Sequence, residues 1–509
     1  MNGKELTKNM IANIISFMLN TAISFFLSSY IVESLGNEAY GFVKLSNDFV
    51  NYASLITLAL NSMAARFIMI SLNKDEKEAI KYYNSVIISN IILSAFLLIA
   101  SGIVVLYCDK WLNIPINIIS DVKINFVLVF LNFIMNLIFT TTGQVYYLTN
   151  KLYISSVKNM ESRIIQTLII IALFINGTAK IWYISFAALI GSIFVIISNI
   201  YYRRKLLPTL KFNYKMFEWQ KVKDLLASGI WNSITKLSQL FSSGLDLLVA
   251  NIFIGSTGMG ILSVAKTIPN LIVGLLCSIA NIFNPNLTQL YAQEKTEELK
   301  KAVKTSMKIM CVFTSIPNAI LVALGCQFYS LWVPSQPASM LQCLSIFTVI
   351  NSIVTGVLQP IYSIFTITNR VKENSKVMIL YGFISFLTTL IALKFTNLGV
   401  YAIAGVSLFG SLIVALFYHL PKGAVFLGLP KKTFLPEIIT SVVSFSILTI
   451  IGYIVSLIVP VQNSWFMWFF GAAIIGVIGL ILNLMLVLRK NEREILISKV
   501  MSVLRRKND

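Results

Sequence analysis

The chain has 509 residues, 57% hydrophobic and 12% charged, with a net charge of +20. Its mean hydropathy of +0.79 excludes a water-soluble domain of this size. The five cysteines (Cys108, Cys277, Cys311, Cys326, Cys343) have no CxxC spacing and an odd count, so they read as small apolar fillers rather than metal ligands or a disulfide framework.

Apolar runs of about 20 residues recur from end to end, each long enough to cross a ~30 Å hydrocarbon core as a helix. Fourteen are expected, the first seven at roughly 11–32, 42–70, 83–107, 124–148, 155–175, 181–202 and 224–254. The others lie at 261–288, 309–331, 341–367, 377–395, 401–419, 437–460 and 465–488. Lys4 and Lys8 precede the first run, which lacks a small-residue cleavage site and is long enough to span, so it reads as a helix and not a signal peptide. Asn9, Asn13, Ser16, Asn20 and Ser24 step along it by three or four residues and form one polar stripe. A short loop with Gly36 and Gly41 turns the chain into the second run, which contains Lys44, Asp48 and Arg66. Charges inside such a segment are costly and usually face an interior cavity. At 100° per residue Lys44 and Arg66 share a face. The bland alternative is that each sits near a water interface and snorkels.

The next four runs are more uniformly apolar. Segment 203–223 then mixes Lys and Arg with Phe212, Tyr214, Phe217 and Trp219, a composition that suits an interfacial linker. Beyond it the pattern repeats. Shifted by 219 positions, Gly36 falls on Gly255 and Gly41 on Gly260, while Asn13, Ser16, Asn20 and Ser24 fall on Asn232, Thr235, Gln239 and Ser243. The expected fold is therefore an all-α integral membrane protein of about 14 transmembrane helices, in two six-helix bundles that are parallel repeats, plus two appended C-terminal helices. Its parts are residues 1–205, a linker 206–223, the second bundle 224–420, the appended helices 421–488, and a basic tail 489–509 expected to lie as a helix on the membrane surface.

Lys and Arg cluster in alternate loops, including 71–82, 150–163, 203–223, 289–308 and 489–509, whereas the intervening loops hold only Lys110, Lys123, Lys180 and Lys394. This asymmetry predicts a multi-pass plasma (inner) membrane protein with both termini cytoplasmic, its positive charge directed at membrane lipids and not at nucleic acid. Four basic residues remain inside the helices: Lys44, Arg66, Lys236 and Lys266. They are expected to line one cationic cavity, opposed by Asp48 and Asp246, with Asn13, Asn20, Asn51, Asn232 and Gln239 as hydrogen-bonding partners for a substrate. Pro269, Pro285 and Pro360 are candidate bending points or static kinks. Catalysis has little support: the one histidine, His419, reads as structural, there is no Walker A or HExxH sequence, and no catalytic or metal-ligating set is predicted.

Several stretches resemble a known family. They are the loop LGNEAYG (Leu35–Gly41), Arg66-Phe67, Pro208-Thr209-Leu210-Lys211, and the run Leu245-Asp246-Leu247-Leu248, Ile254-Gly255 and Gly258-Met259-Gly260. They look like Wzx-type flippases, polysaccharide exporters of the multidrug/oligosaccharidyl-lipid/polysaccharide superfamily. The resemblance implies two facing six-helix bundles and a lipid-linked oligosaccharide on a polyprenyl (undecaprenyl) pyrophosphate, flipped from inner to outer leaflet. It implies no organic cofactor. A coupling ion, proton or sodium, is expected, with Asp48 or Asp246 as candidate carrier, and contact with the polysaccharide assembly machinery is a further expectation. Lipid II, a teichoic-acid precursor or a cation-coupled drug are the alternative cargoes within the same superfamily, and a membrane-bound polymerase or glycosyltransferase is the competing class.

Overall fold

A helix satisfies every backbone N–H and C=O within its own segment, which is what hydrocarbon demands of a spanning chain. The computed structural model describes residues 3–72, 74–175, 178–368, 370–461 and 464–487, and among these the regular elements are all helices. The order begins α1 (Gly3–Leu35), α2 (Asn37–Leu72), α3 (Glu76–Trp111), α4 (Ile119–Gly143), the single turn α5 (Val145–Leu148), α6 (Leu152–Ile175) and α7 (Trp182–Leu206). It continues α8 (Trp219–Gln239), α9 (Asp246–Phe253), α10 (Ser256–Ala265), α11 (Thr267–Ala292), α12 (Thr296–Trp332) and α13 (Ala338–Val357). The last are α14 (Gln359–Ile367), α15 (Val371–Phe395), α16 (Val400–Val414), α17 (Leu420–Phe426), α18 (Leu435–Ile458) and α19 (Trp465–Leu486).

All fourteen expected runs fall on helices, and the protein is a multi-pass, all-α membrane protein. Twelve of the runs lie on helices long and apolar enough to cross a membrane. The two that do not are 155–175 and 224–254, and their charges are the reason. α6 carries Lys158, Glu161 and Arg163 within two turns. α8 carries Lys221, Lys223, Asp224 and Lys236, and a π-helical turn at Leu240–Gly244 separates it from α9. Of the four lysines expected in the sparsely basic loops, three belong to helices: Lys110 in the last turn of α3, Lys123 in α4 and Lys394 in the last turn of α15. The tail expected to form a surface helix, 489–509, lies outside the described residues.

The chain packs as two units, Met1–Val264 with Ser375–Phe386, and Ala265–Asn374 with Leu387–Asp509. This division falls inside the eighth apolar run and not at the 206–223 segment. Packing and duplication have different causes, so the six-plus-six repeat remains a proposal. In the first unit α2 is central and packs along α8, α3 and α4. In the second unit α12 is central, with α11, α13, α18 and α19 around it. Asn483 of α19 anchors that packing: it donates to Ser315 Oγ of α12 at 3.1 Å and accepts from Ser444 of α18 at 2.9 Å. Pro269 and Pro360 stand in the first turns of α11 and α14, just after the helix is interrupted at Lys266 and Leu358, where a missing N–H is harmless.

Gly36 joins α1 to α2 and Gly255 joins α9 to α10, with φ of +84° and +110°. Nothing lies within 4 Å of where a Cβ would stand on either, so backbone conformation and not space requires glycine there. Just beyond these turns, Thr257 hydrogen-bonds the Glu38 carboxylate, a pair 219 positions apart. A Cβ on Gly41 would come within 3.0 Å of the Cα of Gly260, another pair with the same offset.

The connection after α7 is held against the start of α3. Asn84 accepts from the Asn213 N–H at 2.7 Å and donates to the Lys211 carbonyl at 3.1 Å. Lys81 pairs with Glu78 at 2.9 Å and with Glu218 at 2.8 Å, while Lys221 binds the second oxygen of Glu78. That hydrogen bond to Glu78 raises the Lys221 ammonium above the ordinary lysine range.

Candidate functional site

The first unit encloses a polar cavity of about 360 Å³ bounded by α1, α2, α4, α6 and α7. Ser24 of the α1 stripe and Ser28, one turn further on, line it with Lys44 of α2. Lys44 is half-buried, with its ammonium 5.1 Å from the centre of the Tyr40 ring. Arg163 of α6, a residue the sequence reading assigned to a loop, lines the cavity as well. Its guanidinium donates to Ser24 Oγ at 3.0 Å and to Gln166 Oε1 at 3.3 Å. Asn132 and Asn136 of α4 complete the polar lining. Under the wall, Ser185 donates to Asn125 Oδ1 at 2.6 Å, and Asn125 donates to Ser46 Oγ at 2.8 Å, which fixes α7, α4 and α2 to one another. No carboxylate lines this cavity among the described residues, so its two cations make it positive.

A second, smaller cavity of about 240 Å³ lies between α2 and the end of α8. Asp48, Asn51, Lys236 and Gln239 line it, together with Tyr52. Tyr52 donates to the Gly244 carbonyl at 2.8 Å, next to the π-helical turn where the helix is interrupted. Lys44 and Asp48 are one helical turn apart, yet they serve different cavities. The expected single cationic set is thus divided within this unit: Lys44 stands with Arg163, and Lys236 stands with Asp48.

The other predicted site residues are placed elsewhere. Arg66 is exposed near the end of α2 and lines neither cavity. Asn13 is exposed, and Asn20 donates to Ser16 Oγ at 3.3 Å. Asn232 donates to Ser62 Oγ at 3.0 Å, clipping α8 to α2. Asp246 is buried at the start of α9. Lys266 occupies the break between α10 and α11, in the second unit. His419 is buried at the end of a π-helical turn, with Nε2 3.1 Å from Asn374 Oδ1. Arg163 is the cavity-lining cation that sequence reasoning missed. A signal for it was present: Ser155, Asn159, Ser162 and Gln166 step by four, three and four, the same polar stripe seen on α1.

Comparison with known proteins gives the family and the fold. Residues 6–290 match the model of the polysaccharide biosynthesis protein family. A membrane protein of Bacillus subtilis (strain 168), EpsK, is 26% identical over 508 residues, which is 97% of this chain and 98% of that protein. Among solved structures, the inward-facing form of a multidrug resistance MATE family transporter of the MOP superfamily aligns with a TM-score of 0.64 and 15% identity, over 82% of this chain and 98% of that one. The lipid II flippase MurJ in its inward closed conformation aligns with a TM-score of 0.62 and 16% identity, over 93% and 97% of the two chains. These structures share the fold of the multidrug/oligosaccharidyl-lipid/polysaccharide superfamily with this protein. With a matching family model across more than half its length and that fold around a cationic cavity, the chain belongs to the polysaccharide biosynthesis protein family.

Proposed function

We propose that this protein is a flippase that carries a polyprenyl-pyrophosphate-linked oligosaccharide from the inner to the outer leaflet of the plasma membrane by alternating access. The observation that carries the reading is the cavity of Lys44 and Arg163. Two cations face a space free of carboxylates among the described residues, beside the amides of Asn132, Asn136 and Gln166. Arg offers pyrophosphate a planar fork and Lys a point charge, while amides suit sugar hydroxyls. An exporter of organic cations would call for the opposite sign. The likeness to a lipid II flippase supports a lipid-linked cargo, and lipid II or a teichoic-acid precursor is the alternative within that class. Asp48, beside Lys236, and buried Asp246 are the carriers proposed for a coupling proton or sodium ion.

The direct test measures outer-leaflet lipid-linked oligosaccharide in cells that lack the chromosomal gene. The wild-type chain restores it, and the intermediate accumulates on the inner leaflet without the chain. Restoration of lipid II turnover, with no effect on the oligosaccharide, would sink this cargo in favour of the alternative.

Orientation follows from the charge asymmetry, and the 219-residue contacts support two parallel repeats. Single cysteines at the exposed positions Ser335 and Asn397, in a background freed of the native cysteines, should react with an impermeant reagent added to intact cells. A cysteine at Lys215 should not, and its labelling would reverse the orientation.

A further inference from the structure

Arg163 is held by a line of hydrogen bonds that begins outside its cavity, on α7. Ser162 of α6 is buried, and its hydroxyl donates to the Gly191 carbonyl at 2.9 Å. A carbonyl can only accept, so the Ser162 proton is committed and its oxygen is left to accept. Gln166, one turn further along α6, therefore presents its amino end there, and Nε2 donates to Ser162 Oγ at 3.1 Å. This turns Oε1 of the same amide toward Arg163, whose Nη1 donates to it at 3.3 Å. Nη2 of Arg163 donates to Ser24 Oγ of α1 at 3.0 Å. Both arms of the guanidinium fork are tied, so its plane is fixed, and N–H groups remain beyond those two bonds. Neither Ser162 nor Gly191 lines the cavity itself.

Gly191 makes this arrangement possible. It is buried where α7 packs along α6, and its φ is not positive, so backbone conformation does not require glycine there. Space does. A Cβ on Gly191 would overlap Gln166 Nε2 and stand 2.6 Å from its Cγ and 2.7 Å from Ser162 Oγ. The nearest obstacles are side-chain atoms and not backbone. A methyl group there displaces the Gln166 amide before it separates the two helices.

We propose that Gly191, acting through Ser162 and Gln166, is the positioning residue that aims the Arg163 guanidinium at the phosphates of the substrate. The inference rests on the reading of the Lys44 and Arg163 cavity as the anion site, and adds to it two residues that never touch the ligand. A fork held in place before the anion arrives gives up less freedom on binding than a loose arginine does.

The test titrates inorganic pyrophosphate into the full-length protein in detergent by calorimetry, with the unliganded unfolding midpoint measured alongside. Arg163→Ala should weaken binding roughly thirtyfold. Gly191→Ala and Gln166→Ala should each weaken it about tenfold, with midpoints within roughly 2 °C of wild type. Adding Gly191→Ala to Gln166→Ala should cost nothing more, because the side chain through which the methyl acts is then gone. If Gly191→Ala does not fold, Ser162→Ala takes its place with the same expectations, since it adds no bulk and breaks the same line. Losses that add in the double variant would overturn the positioning role. So would a Gly191→Ala chain that loses stability but binds pyrophosphate as the wild type does, while Arg163→Ala binds it weakly; the anion site would then stand without the relay. Binding that Arg163→Ala leaves unchanged, or a wild-type chain that binds no pyrophosphate, would overturn the anion site and the positioning role together.

Discussion

Replacing both Lys44 and Arg163 with alanine should reduce export about a thousandfold while leaving the protein in the membrane. Each cation is positioned to make charge-assisted hydrogen bonds with a pyrophosphate, worth ~1.5–3 kcal/mol apiece, or roughly tenfold to a hundredfold in rate per residue. The two line one cavity, so their losses combine when the anion needs both to leave water. Arg163→Ala should cost more than Lys44→Ala, because it also releases Ser24 and Gln166 from the hydrogen bonds that hold the wall together. Arg163→Lys should keep part of the activity, since it retains the charge and loses the fork. Arg66→Ala is the comparison: this residue is exposed and outside both cavities, so the smaller loss is expected. The measurement is outer-leaflet lipid-linked oligosaccharide, normalised to the amount of protein in the membrane. Normal export by the double variant would remove the cationic cavity from the mechanism.

Gly229→Ala should be among the most destabilising single-methyl changes in the chain. Gly229 lies on α8 where it crosses α2, and a Cβ there would stand 1.8 Å from the carbonyl oxygen of Ala59. The obstacle is backbone, so no rotamer change relieves it, and the two helices must separate. That also threatens the clips beside the crossing, Asn232 to Ser62 at 3.0 Å and Ser233 to the Leu55 carbonyl at 3.3 Å. Overpacking of this kind costs ~1–3 kcal/mol or more, and a fall of roughly 5 °C or more in the unfolding midpoint is expected. Gly102→Ala is the contrast. Gly102 is exposed in the interior of α3, with nothing within 4 Å of its Cβ position. Alanine there should be neutral or stabilising by up to ~1 kcal/mol, since it restricts the helix less unfavourably than glycine does. Detergent-solubilised variants followed by thermal unfolding distinguish the two. A Gly229→Ala midpoint equal to wild type would mean that the α2–α8 crossing is looser than described.

The sequence by itself determined the class of the protein and the position of nearly every helix. Apolar runs of spanning length leave a chain in a bilayer little choice but helix, so each of the fourteen runs falls on one. It also determined the two turns at Gly36 and Gly255, because positive φ selects glycine locally. The stripe on α1 was legible for the same reason, since helical period is a property of one segment. Arg163 was lost when basic residues between apolar runs were assigned to loops. Hydropathy averages over a window, and three charges in six residues of α6 outweighed the stripe they interrupt.

Only the tertiary structure decided which charges share a space. Periodicity places Lys44 on a face of α2, but the neighbour of that face depends on how α1, α4 and α6 pack, and Arg163 lies 119 residues away in sequence. Asp48, one turn from Lys44, lines a different cavity with Lys236, because α8 packs closely along that part of α2, as the close approach at Gly229 shows. A helix fixes angles within itself. Which faces meet is set by ridges, small residues and buried hydrogen bonds contributed by other segments, and no single stretch of sequence contains that information.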